Sequence, residues 1–170
     1  MKFVNGSYFL SNIKHLSPDT SGSFLYFYLM KDTRFKRKLE DGKEYVFDTN
    51  RKKYVVLTAE EWVRQQVLYY MIHTMEYPAP VISVEKQIKV GTRNRRYDIV
   101  VYKESIPWMI IECKRETEKL TANVLSQLLS YNSTLVVSFL AITNGIEILC
   151  YDIKKEVWSN GLPLYETLTP

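Results

Sequence analysis

The period of hydrophobic and polar positions changes several times along the chain, and each change marks an element. "TAEEWVRQQVLYYMIHTM" places Val63, Val67, Tyr70 and Met71 at helical spacing, which predicts a helix from residue 58. Thr58 followed by Glu61 is a capping-box pattern, in which the hydroxyl and the carboxylate satisfy free amides of the first turn. "YPAP" (77–80) ends that helix. "VISVEKQIKV" (81–90) then alternates, with Ile82, Val84, Ile88 and Val90 on one face, and reads as a strand. "GTRN" turns into a second strand, "RYDIVVYK" (96–103), and "ESIP" turns into a third, "WMIIECK" (108–114). "TANVLSQLLSYNS" (121–133) reads as a helix and "LVVSFLAIT" (135–143) as a fourth strand. Asn144-Gly145 signals a two-residue hairpin into the fifth strand, "IEILCYD" (146–152).

The order is helix, three strands, helix, two strands. Three consecutive strands can form a meander, and the intervening helix suits a crossover, so the expected sheet is mixed. The fold class is α/β or α+β, with helices covering the sheet over residues 58–170. Residues 1–57 read as an extension packed on that domain. Within it "SFLYFYLM" (23–30) looks buried, and "RFKRKLEDGKEYVFD" reads as a basic stretch, a turn at Asp41-Gly42 and a short strand.

Composition narrows the class. A chain of 170 residues can bury one core. Its 46% hydrophobic and 14% aromatic content argues against a disordered protein. No apolar run approaches the roughly 18 residues of a membrane helix, and the N-terminus lacks the apolar segment of a signal peptide. Cys113 and Cys150 sit in separate strand-like runs and read as reduced core thiols, which suits a cytoplasmic protein. His15 and His73 match no zinc spacing. The net charge of +4 is uneven, with the basic excess in residues 1–57. Lys86, Lys89, Arg93, Arg95 and Arg96 form a second basic cluster without an acid. Such a cluster is either a polyanion-binding face or a solvated surface.

The charges inside the strands are the unusual feature. Residues two apart in a strand share a face, ~6.5 Å apart. Ile110, Glu112 and Lys114 therefore share one face of the third strand, and Met109, Ile111 and Cys113 the other. On the second strand Asp98, Val100 and Tyr102 share a face, with Tyr97, Ile99 and Val101 opposite. An antiparallel pairing centred near residue 105 sets Asp98 beside Glu112. Two desolvated carboxylates repel, and a divalent cation compensates both costs. Magnesium takes one or two carboxylates and leaves positions for water and phosphate. A lysine two residues on can stabilise developing negative charge or help deprotonate water. The plainer alternative is a Glu112–Lys114 salt bridge with Asp98 capping a turn. Gln127 and Tyr131 share a face of the second helix at i,i+4 spacing, where they could contact a substrate backbone or simply belong to an amphipathic helix.

The ordered set "LTAEEWVRQ", "RRYDIVVY", "PWMIIECKRE", "SQLLSYN" and "AITNG" resembles the N-terminal nuclease domain of type I restriction enzyme R subunits, in the PD-(D/E)XK, or restriction endonuclease-like, superfamily. The resemblance covers about residues 50–152 and is closest to short, stand-alone forms. It implies a central mixed sheet of four to five strands flanked by helices. It also implies a Mg²⁺-dependent deoxyribonuclease, with Mn²⁺ as a substitute, acting in restriction, defence or repair. Asp98 and Glu112 match the metal ligands, Lys114 the catalytic lysine, and Gln127 and Tyr131 the Gln-x-x-x-Tyr motif. An acidic residue from the first helix often joins such sites. Glu60 is the expected one, because the capping box already accounts for Glu61. Arg93, Arg95 and Arg96 would hold substrate phosphates. Tyr97 stands where the superfamily pattern has proline. No GxxxxGK[ST] stretch is present, so the expected form works alone, as a homodimer, or with other restriction or defence subunits. The rival reading is a catalytically silent nucleic-acid-binding or assembly subunit with a nuclease fold. An open cleft shared by Asp98, Glu112 and Lys114 favours the enzyme, and a carboxylate locked by an arginine favours the rival.

Overall fold

The computed structural model describes residues 34–90, 93–121 and 137–166. In this part of the chain the fold is mixed α and β, with a six-stranded mixed sheet, a three-stranded sheet and one α-helix. The small sheet comprises β1 (Arg37–Glu40), β2 (Lys43–Asp48) and β3 (Lys53–Val56), paired antiparallel in chain order. Helix α1 (Ala59–His73) follows, then a 3₁₀ turn over Ala79–Val81. The large sheet runs in the order β4 (Ile82–Val90), β5 (Arg93–Lys103), β6 (Ile106–Cys113), β7 (Phe139–Thr143), β8 (Ile148–Asp152) and β9 (Val157–Asn160).

Neighbours in the large sheet are antiparallel except β6 and β7, which are parallel. The expected mixed sheet is therefore present, with its parallel pair at β6 and β7. The sheet has six strands rather than four or five. The additional strand is β9, where "VWSN" carries too short an apolar pattern to announce itself. The expected helix over 121–133 lies outside the described residues, apart from its first.

Alternation places a core on each face of this sheet. Ile99, Val101, Met109, Ile111 and Cys113 pack with Val63, Val67 and Met71 of α1. Val100, Ile110, Leu140 and Ile142 form the opposite cluster. Tyr97 departs from the expected alternation, because it packs with Val100 and Ile110 rather than with Ile99 and Val101. The cause lies across the sheet. Pairing between β4 and β5 skips from Val84↔Ile99 to Lys86↔Tyr97, and the intervening Glu85 has a left-handed φ of 50°.

Two turns set the geometry around β6. Glu104 and Ser105 join β5 to β6, both with positive φ (50° and 65°), as a tight primed hairpin turn requires. The ladder begins Lys103↔Ile106 and Tyr102↔Pro107, then resumes as Val101↔Met109. Trp108 is the extra residue of a β-bulge. Its indole meets the rings of Phe139 at 5.1 Å and Tyr165 at 5.6 Å, and its carbonyl accepts from Ser138 N–H at 2.9 Å. Asn144-Gly145 does not form the expected two-residue hairpin. The loop from Thr143 to Ile148 holds four residues, because the Asn144 side chain accepts from the amides of Ile146 and Glu147, both at 3.0 Å.

The small sheet and the segment before it meet α1: the Phe35 ring lies 4.9 Å from Trp62 and 5.8 Å from Tyr69, Arg37 of β1 lies 4.3 Å over the Trp62 ring, and Asp48 of β2 accepts from Gln65. Asn50 Nδ2 donates to the Ile82 carbonyl at 3.2 Å, tying this region to the first strand of the large sheet. Cys113 and Cys150 are buried free thiols.

Candidate functional site

The β5–β6 pairing runs through Val100↔Ile110 and ends at Ile99↔Ile111, and Asp98 and Glu112 are the next residues of the two strands. Asp98 is pinned by two donors. The Cys113 N–H donates to Oδ2 at 2.8 Å, and Arg64 Nη2 donates to Oδ1 at 2.6 Å. Lys114 Nζ lies 3.2 Å from Glu112 Oε1, and both side chains are 22% exposed. The Lys114 amide donates to the Thr143 carbonyl at 2.8 Å, which carries the parallel β6–β7 pairing past the strand's end and fixes the lysine's backbone there.

The electrostatics show that the two carboxylates interact. Glu112 has a pKa raised above the ordinary carboxylate value, first by burial and then by the negative charge of Asp98. Lys114 and Arg64 oppose that rise without cancelling it. For Lys114, burial favours the neutral amine, yet its pKa is raised because Glu112 favours the ammonium. Arg64 behaves alike, with burial opposed by the charges of Asp98 and Glu61, and its pKa is raised.

Behind this pair lies a larger charged network. Arg51, from the turn between β2 and β3, donates to Asp48 at 2.7 Å, Glu85 at 2.7 Å and Glu61 at 2.5 Å. Gln65 Nε2 donates to Asp48 and Glu61, both at 2.8 Å. Arg64 bridges Glu61 and Asp98, and Glu85 lies 3.5 Å from it. Asp48, Glu61, Arg64 and Gln65 are buried. Glu85 reaches both arginines from its left-handed backbone, a conformation that costs a non-glycine residue roughly 1 kcal/mol or more.

Asp98, Glu112 and Lys114 thus come together, and Glu60 is not among them. Glu60 is exposed, whereas Glu61 is buried against Arg51, Arg64 and Gln65. The capping box is only half formed. Thr58 Oγ1 accepts from the Glu61 amide at 3.1 Å, but the Thr58 amide donates to the Val56 carbonyl, so the Glu61 carboxylate is free to turn inward. Arg96 is 65% exposed and 3.7 Å from Glu85. Arg93 and Arg95 lie on β5. Gln127 and Tyr131 lie outside the described residues. The sequence reading missed Asp48, Arg51, Arg64, Gln65 and Glu85. The spacing of Glu61, Arg64 and Gln65 on one helix face was the available signal.

Hard oxygen ligands from two adjacent strands suit magnesium, which uses one or two carboxylates. Repulsion between the Asp98 and Glu112 carboxylates is what a divalent cation would relieve. Among the described residues no group of three or more His, Cys, Asp or Glu side chains forms a metal-holding cluster. The groups brought together are the carboxylates of Asp98 and Glu112 and the ammonium of Lys114. Among the same residues no helix is long and apolar enough to cross a membrane.

The family model for the type I restriction enzyme R protein N terminus matches residues 59–163. No curated protein matches. A solved fragment assigned to the HsdR subunit of a type I restriction enzyme from Vibrio vulnificus YJ016 is 22% identical, with a TM-score of 0.38. The similarity covers 46% of this chain and 18% of that one, so the chain spans under a fifth of the other's length.

Proposed function

The chain belongs to the type I restriction enzyme R protein N-terminus family, and on that premise we propose that it is a metal-dependent nuclease hydrolysing phosphodiester bonds of DNA. The observation that carries the reading is the proximity of the Asp98 and Glu112 carboxylates where β5 and β6 stop pairing, with Lys114 at 3.2 Å from Glu112. Asp98 and Glu112 would hold Mg²⁺ or Mn²⁺. The bound cation would supply charge neutralisation and a water of lowered pKa. Lys114 would meet negative charge developing on the phosphate. Glu61 replaces Glu60 as the acidic contribution of α1, holding Arg64 in position. Gln127 and Tyr131 would support the substrate backbone, and Arg93, Arg95 and Arg96 its phosphates. Partners on this reading are DNA and other restriction or defence subunits, or a second copy of the chain.

One observation favours a second reading, a nucleic-acid-binding or assembly subunit without turnover. Asp98 is already neutralised by Arg64 at 2.6 Å. Cleavage of plasmid and single-stranded DNA with Mg²⁺ or Mn²⁺ separates the two. The nuclease reading expects cleavage by the wild type and its loss, by a hundredfold or more on the order of a general acid–base or electrostatic group, in Asp98→Ala and Lys114→Ala. A wild type inert on every DNA form, or variants that cleave equally, would leave only the binding subunit.

A further inference from the structure

We infer that Arg64 is a resident counterion of Asp98 that a divalent cation must displace, so that metal binding and the Arg64–Asp98 ion pair compete. The inference rests on the proposed metal site and adds a positioning residue to it. Three observations carry it. Arg64 Nη2 donates to Asp98 Oδ1 at 2.6 Å, and the Cys113 N–H holds Oδ2 at 2.8 Å, so both oxygens of the carboxylate are engaged. Arg64 has somewhere else to go: its Nη1 already bonds Glu61, and Glu85 stands 3.5 Å away. Its Nε is buried with no hydrogen-bond partner, an unmet donor in an otherwise paired cluster.

These features describe a guanidinium with two stations. In one it bridges Glu61 and Asp98. In the other it swings toward Glu85 and Glu61, and leaves Asp98 Oδ1 to a cation. Glu85 can receive it because its left-handed backbone turns the carboxylate toward both arginines. The same arginine would keep Asp98 and Glu112 from destabilising the fold while the site is empty.

The test is titration of Mg²⁺ and Mn²⁺ into metal-free protein by calorimetry, comparing wild type, Arg64→Gln and Arg64→Lys. Removing the competing ion pair should tighten binding by roughly tenfold, the scale of one charge-assisted hydrogen bond. Arg64→Lys keeps the charge but cannot bridge both carboxylates, so displacement expects an intermediate gain. Identical affinity in wild type and Arg64→Lys would mean mere charge repulsion and would overturn the inference. So would equal or weaker binding in Arg64→Gln, while the metal site itself would stand. If no form binds metal, the metal site and this inference fall together; binding only in Arg64→Gln supports both. Should the variants fail to fold, the Arg64 Nε–H resonance of the wild type decides. It must move on saturation with Mg²⁺, and an unmoved resonance overturns the inference.

Discussion

Replacing Arg51 with alanine tests whether the small sheet is part of the working domain or an appendage. Arg51 is 12% exposed and donates to three carboxylates, of which the Asp48 side chain is fully buried and that of Glu61 7% exposed. The substitution leaves Asp48 with the backbone amide of residue 51 and Gln65, and Glu61 with Arg64 and Gln65. Those partners soften the loss but do not replace the cation. Stripping one partner from a buried ion pair costs about 3–5 kcal/mol. For a chain of this length each kcal/mol lowers Tm by about 2–4 °C, so the expected fall is about 6–20 °C. Thermal and urea melts followed by circular dichroism measure it. Arg96→Ala is the control, because Arg96 is mostly exposed and 3.7 Å from Glu85, and should cost at most about 1 kcal/mol. If Arg51→Ala costs no more than the control, the network does not hold β2 and β3 to α1, and the energetic reasoning is refuted.

Two further outcomes follow from the same geometry. Because the folded pKa of Glu112 is raised, the stability it allows is full below the ordinary carboxylate pKa and is lost as pH rises through the folded value. Glu112→Gln should therefore be as stable as wild type near pH 4 and more stable at pH 7.5, in chelator, while losing cleavage; a variant less stable at pH 7.5 contradicts this. Gly145 has a φ of 84°, and a Cβ there would lie 3.2 Å from Val63 Cγ2. Gly145→Ala should destabilise by about 1–3 kcal/mol in urea melts, and a neutral result would mean that the loop relaxes freely.

The hydrophobic pattern carried most of the architecture. The helical spacing of α1 is a strong signal because one face of it is buried, whereas the expected single face of "VISVEKQIKV" breaks at Glu85: Ile82 and Val84 pack on the α1 side of the sheet and Ile88 on the other. β9 was invisible because a four-residue edge strand buries too little to leave a pattern. At the site, Asp98, Glu112 and Lys114 were legible because charges in an apolar strand need a reason. Arg51 and Glu85 were not, since they meet 34 residues apart through a turn and a left-handed residue that no local pattern encodes. The capping box that set Glu61 aside fixes only its amide, and its carboxylate is bonded to Arg51, Arg64 and Gln65 instead.

The bulge at Trp108 gives the hairpin an arithmetic. From the turn alone, Asp98 would be counted against Ile111, and the one surplus residue moves the count to Glu112. Deleting or inserting a single residue between 98 and 112 would exchange the carboxylate neighbour of Asp98 for Ile111 or Cys113. Changes in twos, made at the Glu104-Ser105 tip, would keep the parity. Length variation in this hairpin should therefore be tolerated in even steps only, with the aromatic rings around Trp108 as the marker from which the count is taken.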